Sequence, residues 1–359
     1  MLLQLKAFTA LAEKVSLRNP GIPILKQVCI DNGTIRITDL ENTLVMPLDD
    51  ARSYCIPLEV LKQVFRANPS EIKISLLEDN QAEIMFDLHS VVCPTLPADE
   101  YPALPNGDFC PVGIWTKAVI ASLHKQLQFA SNDELKPALT GIRMSQNGTL
   151  QSCASDGHVL QYIDDLDAQR QCHLEGSFDG ILARKTVTLL SQIPVGKITV
   201  AYKQESPACL RFDLPEAMVL YARLIEEQFP DFASILAEAK ANSVRVKRQE
   251  LLEALRIAGK FTNKANRQGI LKVQNGLLAL STTDAERNLA FATHIPTIER
   301  LGAEMQIGFN LRLLEQVIDT LPEPEILWRY SSPVTANLFT GMGNPNVQNL
   351  LMPIRLEEE

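Results

Sequence analysis

The chain has 359 residues, enough for about two or three domains. It is 46% hydrophobic and 21% charged, which excludes a disordered chain. Its 34 basic and 43 acidic side chains leave a net charge of −9, so it does not coat nucleic acid with its whole surface; a basic stripe on an acidic body stays open.

The first stretch, MLLQLKAFTALAEKVSL, is broken by Lys6, Glu13 and Lys14 and makes a poor signal peptide. No apolar run approaches the roughly 18 residues of a membrane helix. The cysteines (Cys29, Cys55, Cys93, Cys110, Cys153, Cys172 and Cys209) are odd in number, scattered and without a C-x-x-C pair. Neither a disulfide framework nor a zinc site is indicated, and a reduced, cytoplasmic compartment is expected.

In chain order, a helix is expected over 6–18. Asn32-Gly33 then reads as a hairpin turn, because Asn-Gly tolerates positive φ. Ile35 and Ile37 alternate after it, and Asp39 follows. An amphipathic helix over 57–68 runs through a turn at Pro69 into a strand. The Pro-rich Tyr101–Phe109 segment marks a joint. The order then returns: a helix over 116–129, the Asn147-Gly148 turn with Leu150 and Asp156, a helix over 184–193, Pro194 and a strand. A second joint falls near Ala237–Ser243. A third round gives a helix over 245–264, the Asn275-Gly276 turn with Leu278, Leu280 and Asp284, a helix over 310–321, Pro322 and a strand. The prolines stand 125 and 128 residues apart. Three α+β domains of one kind are expected, at 1–109, 110–236 and 237–359, each with two helices packed on antiparallel sheet.

The six expected helices carry 16 Lys/Arg against 6 Asp/Glu, and the rest of the chain carries 18 against 37. If the helices share a surface, it attracts a polyanion while the body repels it. Solvated helix faces also favour Lys and Arg for propensity reasons. Arg184-Lys185 and the run Arg245, Lys247, Arg248, Arg256, Lys260 and Lys264 are the densest parts. No aromatic residues interleave with them, so contact with phosphate rather than bases is implied, with little sequence preference.

No P-loop, H-E-x-x-H or G-x-S-x-G occurs, and Gly341-Met342-Gly343 lacks the strand-to-helix context and third glycine of a dinucleotide site. Asp156-Gly157-His158 is the one combination that invites a catalytic reading, with His158 as a base oriented by Asp156. Asp-Gly is also an ordinary turn signal, which favours a structural or ligand-lining histidine. Asp164, Asp165 and Asp167 read as a solvated loop more readily than as a cation site.

Several segments, in order and at matching spacing, carry a family likeness. They are Asn19-Pro20-Gly21-Ile22-Pro23-Ile24-Leu25, Thr38-Asp39-Leu40-Glu41, Thr95-Leu96-Pro97-Ala98 with Tyr101-Pro102, and Ala154-Ser155-Asp156-Gly157-His158. They continue with Ala183-Arg184-Lys185, Phe229-Pro230-Asp231-Phe232, Ile307-Gly308-Phe309-Asn310 and Met352-Pro353-Ile354-Arg355-Leu356. Over essentially its whole length the chain resembles the bacterial DNA polymerase III beta subunit, the sliding clamp. The resemblance implies a head-to-tail homodimer that closes six similar domains into a ring, with helices lining the hole and sheet outside. It implies a non-catalytic, cofactor-free processivity factor that slides on duplex DNA without reading sequence. Its implied partners, besides DNA and a second copy, are the polymerase III alpha subunit, the clamp loader and repair polymerases, all docking through short apolar motifs.

Carried over residue by residue, the resemblance places the peptide pocket at Leu139, Ser155, Gly157, His158, Leu160, Pro230, Ile235, Leu351, Met352, Pro353, Ile354 and Arg355. The DNA-facing candidates are Lys14, Arg18, Lys62, Arg66, Lys125, Arg184, Lys185, Lys247, Arg256, Lys260 and Lys264. The chain departs from the family pattern in places. Val159 replaces an arginine after the pocket histidine, Ser234 replaces a basic residue, and Asn19 replaces an arginine near the DNA-facing tip. Glu357-Glu358-Glu359 extend the usual ending. At the expected dimer joint, the edge near Val91 and Cys93 has only His89 where arginines are common. Its acidic counterpart is reduced to Asp284 and Glu286, followed by Arg287. A clamp-fold paralogue with other partners or a weaker ring is the alternative, and a hydrolase using Asp156 and His158 is a third reading.

Overall fold

The computed structural model describes residues 2–16, 20–238, 240–274 and 276–356. The architecture is α+β: antiparallel sheet with eight α-helices among the described residues. These are α1 (Leu2–Val15), α2 (Leu58–Arg66), α3 (Lys117–Gln126), α4 (Pro137–Thr140), α5 (Arg184–Ser191), α6 (Ala233–Ala237), α7 (Arg248–Ala258) and α8 (Leu311–Asp319). None of them is long and apolar enough to cross a membrane.

The long helices form where apolar residues repeat at three and four. α1 buries Leu5, Phe8, Ala12 and Val15; α2 buries Leu58, Leu61, Val64 and Phe65. α8 starts at Asn310, whose side chain accepts from the Arg312 and Leu313 amides, the N-cap arrangement.

The expected helix over 245–264 is corrected. Residues Asn242–Lys247 form a strand, in which Val244 and Val246 are buried while Ser243, Arg245 and Lys247 are not. Alternating β-branched residues follow the two-residue period of a strand, and Lys247 is still extended at ψ 127°. The helix ends at Ala258 with Gly259 as its C-cap, so Lys260 and Lys264 lie beyond it.

The chain divides into two compact units, residues 1–124, 145–148 and 167–226 in one, and 125–144, 149–166 and 227–359 in the other. In the first unit, one antiparallel sheet runs through strands 54–57, 27–31, 34–38, 42–47, 219–225, 209–213, 197–203, 110–116 and 173–174, in that spatial order. Strands Ile72–Leu77, Gln81–Phe86 and His89–Pro94 form a separate three-stranded sheet. The Asn32-Gly33 turn has φ 45° and 82°, as an Asn-Gly hairpin requires. Part of the core is built on Trp115, whose ring lies 5.8 Å from Phe212 and 5.9 Å from Phe178.

In the second unit, the sheet runs through strands 150–155, 159–163, 344–351, 337–341, 325–330, 242–247, 289–301, 277–284, 268–274 and 305–310. Trp328 centres its core, 4.7 Å from Tyr330 and 5.8 Å from Phe309, and its indole N–H donates to Asn337 at 2.9 Å.

Candidate functional site

The second unit holds every residue expected to form the peptide pocket. Ser155, Gly157 and His158 share the turn between strands Leu150–Ser155 and Val159–Ile163. Asp156 Oδ1 accepts the His158 and Val159 amides at 2.7 and 2.9 Å. The Ser155 hydroxyl donates to the Val159 carbonyl at 2.7 Å and accepts the Gly157 amide at 3.1 Å. Gly157 sits at φ 94°, where a side chain is strained. Asp156 therefore caps a turn through the His158 backbone and does not hold the imidazole, so the catalytic pairing is not built. His158 is exposed at the tip.

The C-terminal segment runs along this turn. Strand Val159–Ile163 pairs with strand Asn344–Leu351, setting Leu160 opposite Leu350 and Val159 opposite Leu351. The Met352 amide then donates to the His158 carbonyl at 2.8 Å. Two residues on, Ile354 bridges Gly308, its amide 2.8 Å from the Gly308 carbonyl. Met352 to Ile354 thus span from the turn to strand Met305–Asn310. Leu351 and Leu160 are buried, while Met352 is 42% exposed and Pro353 and Ile354 are half-buried.

Leu139, on α4, is buried, and its carbonyl accepts the Ser131 amide at 2.8 Å. Phe-Pro-Asp-Phe anchors α6. Phe232 packs 5.4 Å from the Tyr162 ring, with the Arg143 guanidinium 5.6 Å from its centroid, and Asp231 accepts the Ala233 amide at 3.1 Å. Pro230 and Ile235 are exposed beside that anchor, and Arg355 is exposed beyond Ile354. Strand pairing and backbone bonds bring Ser155, Gly157, His158, Leu160, Leu351, Met352 and Ile354 together; Pro230, Ile235 and Arg355 are not among the residues so joined.

A cavity of about 540 Å³ opens on the histidine side of this turn. His158 is the one expected pocket residue that lines it. Its other walls include Ser131, Asp133, Lys136, Arg267, Asn310, Arg312 and Gln316. Sequence reading missed these residues. Asn310 was within reach, since it closes the Ile307-Gly308-Phe309-Asn310 motif and is a helix N-cap. The polar wall had no signal, because α8 and the loop at 131–136 meet only in the folded chain.

The expected DNA-facing cations are scattered over differently paired positions. Lys14, Arg66 and Lys125 are exposed on α1, α2 and α3. Lys62 bridges Glu59 at 2.9 Å and Glu13 at 3.0 Å, and these carboxylates hold its ammonium above the usual lysine value. Lys185, half-buried on α5, pairs with Asp39 and donates to the Val15 carbonyl at 2.8 Å; Arg184 precedes it. Lys247 pairs with Glu250 at 2.9 Å, and Arg256 reaches Glu315 and Asp319 on α8 at 3.0 and 3.3 Å. Arg18, Asn19 and Glu357 to Glu359 lie outside the described residues. The basic excess on helices is smaller than expected, because Arg245 and Lys247 precede α7 and Lys260 and Lys264 follow it. Asp284 and Arg287 pair within their own hairpin, and the Arg287 guanidinium donates to the Thr262 carbonyl at 2.8 Å.

Asp164, Asp165 and Asp167 do not converge. Asp164 accepts from Tyr162 and Gln151 at 2.7 and 2.8 Å, whereas buried Asp167 accepts the Gln171 and Cys172 amides, both at 2.9 Å. Among the described residues, no group of three or more His, Cys, Asp and Glu could hold a metal.

Residues 233–355 match the family model of the DNA polymerase III beta subunit, C-terminal domain. A beta sliding clamp of Caulobacter vibrioides is 23% identical over an alignment of 369 positions, covering 98% of this chain and 97% of that protein. One from Pseudomonas aeruginosa is 24% identical, covering 94% of each. Among solved structures, a DNA polymerase sliding clamp from Pseudomonas aeruginosa superposes with TM-score 0.80 at 23% identity, over 99% of this chain and 98% of that one. One from Bacillus subtilis superposes with TM-score 0.83 at 18% identity, over 98% and 97%.

Proposed function

Since the chain belongs to the DNA polymerase III beta subunit, or beta sliding clamp, family, we propose that it is a processivity factor that tethers a replicative polymerase to duplex DNA. It does this without covalent chemistry and works in the cytoplasm, where chromosomal replication takes place. In this reading the chain is three similar domains at 1–109, 110–236 and 237–359, and two copies close head to tail into a ring.

Sheet continuity supports that organisation. Strand 42–47 pairs with strand 219–225, and strand 159–163 with strand 344–351, so sheet passes from one third of the sequence to the next. Lys14, Arg66, Lys125, Arg184, Lys260 and Lys264 are the cations we assign to DNA. Contact with phosphates alone is blind to base sequence and permits sliding.

Partner proteins dock, in this proposal, where Met352 to Ile354 cross from the His158 turn to Gly308. That crossing is the observation that carries the reading: a surface-exposed methionine and two half-buried apolar residues are held by backbone bonds beside a cavity with polar anchors. Exposed apolar residues beside a polar-walled cavity suit a short peptide that carries both apolar and polar side chains. Titration with a fluorescent clamp-binding peptide from a bacterial polymerase III alpha subunit tests it. Saturable binding that His158→Ala weakens, with unfolding unchanged, is the expected result. A dimer that binds no such peptide would instead favour the paralogue with other partners, to which Val159 and the Glu357-Glu358-Glu359 tail point.

A further inference from the structure

Away from the peptide site, the first unit buries a thiol pair that the clamp function does not use. Cys29 and Cys55 face each other across antiparallel strands Gln27–Asp31 and Tyr54–Pro57. Both are fully buried, in one apolar cluster with Ile24, Ala98 and Tyr101.

The register fixes which kind of cross-strand pair this is. In an antiparallel strand, the N–H and C=O of one residue point to the same side. Cys55 gives both of its groups to Leu96: its amide donates at 2.8 Å and its carbonyl accepts at 3.0 Å. Those groups therefore point away from Cys29. Two residues on, Gln27 faces Pro57, which has no N–H to give. Cys29 and Cys55 thus form a non-hydrogen-bonded pair, the kind in which Cα atoms come within roughly 4.5 Å and side chains lie closest. That spacing falls inside the range a disulfide spans, about 4.4–6.8 Å between Cα atoms. The Cys55 thiol also faces the Pro97 carbonyl, to which it donates at 3.8 Å.

Arg36 supplies the charge. It is the cross-strand neighbour of Cys29 on the other side, so Cys55, Cys29 and Arg36 form one row across the sheet. Its side chain is only 10% exposed, and its buried Nε has no hydrogen-bond partner. The guanidinium lies 3.4 Å from Asp31 and 5.7 Å from the Tyr101 ring centroid. The neighbouring Cys55 thiol is the largest influence on Cys29 and lowers its thiol below the ordinary cysteine value; Arg36 acts in the same direction against burial. The thiol of Cys55 is pushed up by its neighbour and by burial. Of the two, Cys29 is the one beside a cation and the more readily ionised, the asymmetry a nucleophile and a resolving cysteine need.

We propose that Cys29 and Cys55 are an oxidation site for hydroperoxides, Cys29 the attacking sulfur and Cys55 the resolving one, with Arg36 as the positioning cation. The Cys29 thiolate attacks one peroxide oxygen; the O–O bond breaks and the departing oxygen leaves as hydroxide or alkoxide. Cys29 is then a sulfenic acid. The Cys55 sulfur attacks it, the S–S bond forms, and the hydroxyl leaves as water with the Cys55 proton. Two thiols are oxidised by two electrons and one peroxide is reduced. The roof over the pair is the segment from Thr95 to Tyr101, held at Leu96 and by the Tyr101 hydroxyl, which donates to the Gln27 carbonyl at 3.1 Å. Local opening of this short segment admits a small peroxide.

The test uses the full native chain. It is treated with hydrogen peroxide, alkylated under denaturing conditions, digested with trypsin and read by mass spectrometry. The expected product joins peptide 27–36 to peptide 53–62 and disappears on treatment with dithiothreitol. In Cys55→Ser, dimedone should label Cys29. In Arg36→Gln the cross-link should form several-fold more slowly, because the cation beside Cys29 is gone. Alkylated Cys29 and Cys55 alongside an oxidised Cys110, which is exposed, would overturn the proposal. So would over-oxidation of Cys29 without a cross-link, and an unchanged rate in Arg36→Gln would remove the role of that cation.

Discussion

At the scale of single residues, local hydrogen bonds decide what a side chain does. Asn310 closes a family motif, caps α8 and lines the cavity. Removing its acceptor in Asn310→Ala leaves two helix amides unmet and should cost about 1 kcal/mol in denaturant unfolding. Asp50 is set differently. The Arg52 guanidinium beside it, at 2.7 and 2.8 Å, and the Tyr54 hydroxyl at 2.9 Å hold its carboxyl below the usual carboxylate value. A carboxyl lowered in the native state adds stability that is complete above its unfolded value of about 3.9 and is lost as pH falls through the lower native value. Unfolding midpoints measured from neutral pH into that acid range should therefore fall less steeply in Asp50→Asn than in the parent chain. The Asp156 case shows what a sequence conceals. Asp-Gly announces a turn, and the turn is there, but only coordinates show that the carboxylate is spent on backbone amides.

At the scale of elements, the helical period was legible wherever apolar residues repeat cleanly, as in α1, α2 and α8. It misled at 245–264, where a strand with alternating valines adjoins a helix with stacked leucines and the two periods merge into one apolar run. The C-terminal segment is the element on which the proposed peptide site depends. At Gly308 a Cβ would stand 2.8 Å from the Ile354 carbonyl and 2.7 Å from the Leu356 side chain. The carbonyl belongs to the backbone and cannot turn aside. Gly308→Ala should therefore push Met352 to Ile354 off the strand and weaken peptide binding about tenfold or more. Calorimetry should show a far smaller change in unfolding, because the bridge is a single isolated pair. Helix pairing also bears on charge. Glu13 and Glu59 hold Lys62, and Glu315 and Asp319 hold Arg256, so these cations are partly neutralised before any DNA arrives.

At the scale of the whole molecule, the proposal commits to a closed dimer and a salt-dependent grip. Sedimentation from micromolar to nanomolar protein should give a mass near twice 39.9 kDa. A monomer throughout would leave tethering to another subunit. On linear duplex DNA, Lys14→Glu or Lys125→Glu should weaken binding equally for all sequences. Each should also reduce the slope of log affinity against log salt by about 1. The same change at Lys62 should do less, because its charge is already shared with two carboxylates.

The sequence by itself determined α1, α2 and α8, the Asn32-Gly33 and Asp156-Gly157 turns and the likeness to beta sliding clamps, because those follow from local periods, from Asn-Gly and Asp-Gly chemistry, and from motifs read in order. It named His158, Met352 and Ile354 for one proposed site, through motifs far apart in the chain. The tertiary structure alone decided how these residues meet: strand pairing between segments 188 residues apart in sequence, seen in the Gln161–Asn349 side-chain bond at 3.0 Å, lays the C-terminal segment against the His158 turn. It alone decided which cations remain available, since pairing with a carboxylate depends on helix packing. It also set Cys55, Cys29 and Arg36 in one row, because cross-strand register is a property of paired backbones and leaves no trace in the spacing of three residues along the chain.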